Sequence, residues 1–99
     1  MGTEYDGTHF EWDDEKAEAN VVDHEGATFF EAATVFADPL SIIVADNEHS
    51  IEEARYLTIG RSYRERILIV SDTERGDAIR IVSARTAEPK ETRAYEHGK

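Results

Sequence analysis

The sequence predicts an α+β domain, with two N-terminal helices and one C-terminal helix packed on a mostly antiparallel sheet of four to five strands. Three observations carry this expectation. Apolar residues between Ala17 and Phe36 recur at three- and four-residue spacing; from Leu40 they run in stretches rich in Ile, Val, Leu and Thr; and short segments with turn chemistry separate those stretches.

Residues 1–9 mix glycine, threonine and charge without a period and read as a frayed end, with His9 to Trp12 as a short edge strand. Asp13 has the side chain to accept from the free amides of a first helical turn, and Ala17, Val21 and His24 share one stripe of the helix that follows. Gly26 supplies its stop. Thr28-Phe29-Phe30-Glu31 has the form of a capping box, in which hydroxyl and carboxylate each satisfy an orphan amide, and Phe29, Ala32, Ala33 and Phe36 then make an apolar face. The second helix ends before Asp38-Pro39, because the residue preceding proline is driven out of the helical region. Strands are expected at Leu40–Ala45, Arg55–Gly60, Arg66–Thr73 and Ala78–Ala84, joined as an antiparallel meander by residues 61–65 and 74–77. From about Thr86 a polar segment with Pro89 in its first turn reads as a surface helix, and residues 88–99 as that helix and a tail.

Ninety-nine residues suffice for a single domain spanning 1–99. No apolar run approaches the roughly 20 residues of a membrane span, and the acidic start has no secretory pattern, so a cytoplasmic protein with no membrane contact is expected. The absence of cysteine excludes disulfides, zinc–thiolate sites and thiol nucleophiles. No cofactor and no metal site are expected: His9, His49 and His97 lie scattered, and Asp46-Asn47-Glu48-His49 reads as a polar loop despite its metal-like look.

The net charge of −11 is unevenly spread. Residues 1–54 hold 15 acids against Lys16 alone, whereas residues 55–99 hold 7 acids against 10 bases. A polyanion can therefore be met by a face built from the second half, and eight of the eleven bases are arginine, the residue suited to bidentate phosphate contact. A salt-adapted, acid-rich surface accounts for the same acidity.

The blocks FEWDDEKAEANVVDH, EEARYLTIG and TERGDAIRIVSAR, with the trailing glutamate and tyrosine, resemble the signature of BrnT toxins from Phe10 to about Tyr95. The resemblance implies a RelE-like fold, metal-independent RNA cleavage that slows translation, and neutralisation by a BrnA-like ribbon-helix-helix antitoxin, through which alone operator DNA is reached. Three positions depart from the family pattern: Glu25 is inserted between His24 and Gly26, Thr86-Ala87-Glu88 stands where Lys-Ala-Thr is usual, and Asp72 replaces an aromatic or histidine. These departures leave open a second reading, a catalytically weak homologue that binds antitoxin and helps repress.

Metal-free cleavage needs a base for the 2′-hydroxyl, cations for the phosphate and an acid for the leaving oxygen. Arg80 alternates with Ile79 and Ile81, and Arg85 stands where that strand ends, which makes both candidates for the phosphate clamp or, more plainly, for salt bridges to Glu53 or Glu91. His24 and Glu53 are the candidate bases; the alternatives are a helix-capping imidazole and an ordinary surface carboxylate. Lys16, Arg55, Arg64, Arg66 and Arg75 are candidate RNA contacts, set against simple solvation. Trp12 is either a core residue or a platform for a base.

Overall fold

Local chemistry starts both N-terminal helices where the sequence places them. The computed structural model describes residues 1–50 and 53–97. Asp13 caps α1 (Asp14–Asp23) by accepting from the Lys16 amide at 3.1 Å, and Thr28 caps α2 (Phe29–Val35) by accepting from the Glu31 amide at 2.9 Å. After α1 the chain turns through Glu25 (φ 57°) and Gly26 (φ 77°), so the inserted glutamate takes a left-handed conformation that costs a side-chain-bearing residue more than glycine.

Among the described residues the strands are β1 (Gly2–Tyr5), β2 (Thr8–Glu11), β3 (Ile42–Ala45), β4 (Tyr56–Arg61), β5 (Ile67–Arg75) and β6 (Ala78–Thr86). They form one sheet in the order β1-β2-β6-β5-β4-β3. Two expectations are corrected. The start of the chain is no frayed end, because β1 pairs with β2 through an Asp6-Gly7 turn, both residues of which have positive φ. The sheet has six strands and is mixed: β2 lies inside it and runs parallel to β6 at Ala78, Ile79 and Arg80.

Phe10, Phe29, Ala32, Ala33, Val35, Leu68, Val70, Ile81 and Ala84 form the core between α2 and the sheet, with Trp12 packed edge-on to Phe29 at its margin. A Cβ at Gly60 would lie 2.9 Å from Val35, so the closest approach of β4 to α2 requires glycine there. The expected layer of three helices on one face is also corrected. Gly60 and Ala84 face α2 and α1, whereas Arg61 and Arg85, the next residue along each strand, meet α3 (Pro89–His97) on the other side. There Glu91 grips Arg85, Arg61 lies over the Tyr95 ring, and the Tyr95 hydroxyl donates to Asp38. Tyr95 is buried, which ties down a helix expected to be wholly surface-lying; α3 starts at Pro89, since Thr86 still belongs to β6. The end of the expected tail, Gly98 and Lys99, lies outside the described residues.

Candidate active site

Residues 80 and 85 are an odd number apart, and on a regular strand they would point to opposite faces. They do not, because β6 contains one extra residue. Ser71 pairs with Ser83 but Asp72 pairs with Ile81, leaving Val82 as a bulge. Beyond it Arg85 pairs with Ile69 and Arg80 with Thr73, so Arg80, Ser83 and Arg85 share the face opposite α1 and α2. The same pleat brings Arg55 and Leu57 to that face beside Ser71.

Arg55, Leu57, Ser71 and Ser83 border a cavity of about 260 Å³ that Asp46, His49 and Val82 complete; Arg80 and Arg85 lie on the same face outside its lining. Its rim is built by a one-turn 3₁₀ segment, Asn47–His49. The Asp46 amide donates to the Arg55 carbonyl at 2.8 Å, and Ser50 Oγ accepts from the Arg55 amide at 2.9 Å, so the loop is fastened to the start of β4. His49 Nδ1 lies 2.8 Å from Asp46 Oδ2. A carboxylate only accepts, so Nδ1 carries a proton, and in the neutral ring Nε2 is then the acceptor. Arg55, one of the lining residues, has a buried Nε with no hydrogen-bond partner among the described residues.

Arg80 and Arg85 do not stand free. Arg80 Nη1 donates to Glu11 on β2 at 2.9 Å, and Arg85 makes a two-pronged pair with Glu91 at 2.7 Å per contact. The hydrogen bonds from Arg85 hold the Glu91 carboxyl down to about 2. Both pairs are partly exposed, so solvent reaches the guanidinium groups. Neither takes the expected partner Glu53, which is exposed, two residues before Arg55. Arg75, exposed at the end of β5, alternates to the same face as Thr73.

The remaining candidates are not gathered here. His24 closes α1, and Lys16 lies exposed on the same helix, on the other side of the sheet from Arg80 and Arg85. Arg66 is committed to Glu31: its Nε and Nη2 donate to that wholly buried carboxylate at 3.0 and 2.6 Å, Ser62 donates at 2.6 Å, and Arg64 stands 3.5 Å away. Burial pushes the Glu31 pKa up, but the hydrogen bonds from Arg66 and Ser62 outweigh it and hold the group ionised. The Glu31 carboxylate therefore does not close the expected capping box; it satisfies the β4–β5 turn, an option only the tertiary fold creates.

The feature missed in the sequence is the Asp46–His49 pair. Its signal was present as an acid and a histidine three residues apart, the spacing of one 3₁₀ turn. Among the described residues no group of three or more His, Asp or Glu is placed to hold a metal ion.

Residues 12–91 match the family of the ribonuclease toxin BrnT of type II toxin–antitoxin systems. The chain belongs to the BrnT family. Its fold is similar to the crystal structure of the Brucella abortus ribonuclease toxin, BrnT, with a TM-score of 0.61 and 20% identity over 80% of this chain and 95% of that one. No curated protein matches the chain. Membership brings a toxin–antitoxin context, and hence an antitoxin partner. No helix among the described residues is long and apolar enough to cross a membrane.

Proposed function

We propose that this BrnT chain is a metal-independent endoribonuclease toxin that cuts RNA, slows translation in the cytoplasm, and is neutralised by a BrnA-like ribbon-helix-helix antitoxin. The supporting observation is that the register of β6 puts Arg80 and Arg85 on the sheet face that also carries Arg55 and the cavity it lines. Guanidinium groups aimed at a phosphate stabilise the charge that builds as the 2′-oxygen attacks. The carboxylate on Arg80 is exchangeable, because a partly exposed single-contact ion pair contributes only about 0–1 kcal/mol, whereas the two-pronged Arg85–Glu91 pair is held more firmly and has to open before Arg85 reaches a phosphate. Glu53, exposed two residues before Arg55, is one candidate base for this reading; His24 is separated from the face by the sheet.

Expression with and without an antitoxin tests this reading. The chain alone should arrest growth and leave RNA fragments ending in cyclic phosphate, and Arg80→Ala should lower the cleavage rate by about 10²- to 10³-fold, the effect of removing one preorganised donor. Arg80→Ala cleaving at the wild-type rate removes Arg80 from the machinery. A second reading is favoured by the closed Arg80–Glu11 and Arg85–Glu91 pairs: a homologue that retains only antitoxin binding and co-repression. It predicts a stable complex with the antitoxin and intact RNA.

A further inference from the structure

The Asp46–His49 pair lines a cavity to which Arg55 also contributes; the His49 side chain is 64% exposed, while that of Asp46 is 14% exposed and held against the ring. A fixed carboxylate, an exposed imidazole bonded to it through Nδ1 and a nearby arginine with no ion pair among the described residues together suit proton transfer beside an anion. We propose that this cavity seats the scissile phosphodiester of RNA, with His49 Nε2 as the base that takes the 2′-hydroxyl proton and Asp46 as the residue that positions the ring. This assignment deepens the ribonuclease reading and rests on it.

The step balances without any further reactant. The proton of the 2′-hydroxyl passes to Nε2, O2′ forms a bond to phosphorus, and the bond from phosphorus to O5′ breaks. Water at the open mouth of the cavity protonates O5′, and the hydroxide so formed takes the proton back from Nε2, which restores the neutral imidazole and leaves a 2′,3′-cyclic phosphate and a free 5′-hydroxyl. Arg55 and the Ser71 and Ser83 hydroxyls, which line the same space, donate to the non-bridging oxygens. Asp46 keeps Nδ1 protonated and stabilises the imidazolium that forms.

The test uses the purified chain on an oligoribonucleotide, with a 2′-O-methyl version as an uncleavable ligand. His49→Gly should lose between about 10²- and 10⁴-fold in kcat, bind the 2′-O-methyl oligonucleotide as the wild type does, and regain cleavage when free imidazole is added. The exposure of His49 gives imidazole access to the gap. Asp46→Asn should lower kcat by less and leave KM unchanged, whereas Arg55→Ala should weaken binding of the uncleavable ligand. Thermal unfolding of each variant separates these effects from loss of fold. Cleavage by His49→Gly within about threefold of wild type, or a folded variant that imidazole does not rescue, overturns the assignment and leaves the ribonuclease reading intact. A wild-type chain that cuts no RNA overturns both.

Discussion

Asp72 lies 4% exposed beneath Phe36, beside Tyr56, Ile43 and Ile79, with one hydrogen bond from Thr58 Oγ1 at 3.0 Å. Burial pushes its pKa from 3.8 up to about 7, against the opposing hydrogen bond from Thr58 and with a small further push from Glu74. The folded chain therefore retains a proton that the unfolded chain gives up between pH 4 and 7, and stability falls as pH rises through that window. Full ionisation is worth about 4 kcal/mol, at about 1.4 kcal/mol per tenfold. Asp72→Asn keeps the acceptor for Thr58 and removes the charge. Urea unfolding at pH 4.5 and pH 8 should show the variant gaining on the wild type as pH rises, by up to that amount; a gap independent of pH would mean that Asp72 ionises freely in the fold. The sequence marks residue 72 only as an unusual type at its position. Its burial depends on which pleat face it takes, and that face is set by the register of β5 with β4.

Among elements, the join between α1 and β6 shows why some of the architecture was legible and some was not. β2 pairs with β6 only as far as Arg80, so the next part of that strand edge lacks a neighbour. Asn20 fills the gap from α1: its amide donates to the Ala84 and Ala27 carbonyls at 2.8 and 2.9 Å, and its oxygen accepts from the Ala84 amide at 3.0 Å. One side chain thus stands in for a strand. Asn20→Ala should cost roughly 3 kcal/mol or more in chemical denaturation, since it strands three buried backbone groups at about 1–3 kcal/mol apiece. Asn20→Asp should recover little, because it restores the acceptor but neither donor. The helix starts at Asp13 and Thr28 and the strands from β3 to β6 are readable because caps, periods and turns are local. The pairing of residues 2–5 and the parallel contact of β2 with β6 join segments far apart in sequence, and no local period encodes them.

Across the whole molecule, the acidic and basic halves of the sequence end in different roles from those a count of charges implies. Arg64 and Arg66 serve the buried Glu31, and Arg75 stands exposed at the end of β5, so the proposed site draws on Arg55, Arg80 and Arg85 of the open face. If each meets one phosphate, the logarithm of RNA affinity should fall against the logarithm of salt concentration with a slope of about −2, at about −0.7 per contact for a single strand. Titration of the 2′-O-methyl oligonucleotide from 50 to 300 mM salt, roughly the range over which such slopes are read, checks this. A slope near zero would mean that the net charge of −11 overrides the patch. The arginines of the site were legible as types, but not their convergence, which depends on the bulge at Val82.

That single supernumerary residue makes the final strand tolerant of shortening and intolerant of a slip. Dropping Val82 would set Ile81 and Ser83 side by side opposite Asp72 and Ser71, an unbroken ladder with Ala84 still on the helix side and Arg85 still on the other. Drawing Val82 into the ladder with no residue lost would instead turn Ala84 outward and a guanidinium into the apolar layer, so an in-frame deletion of this codon should do less harm than a change that straightens the strand.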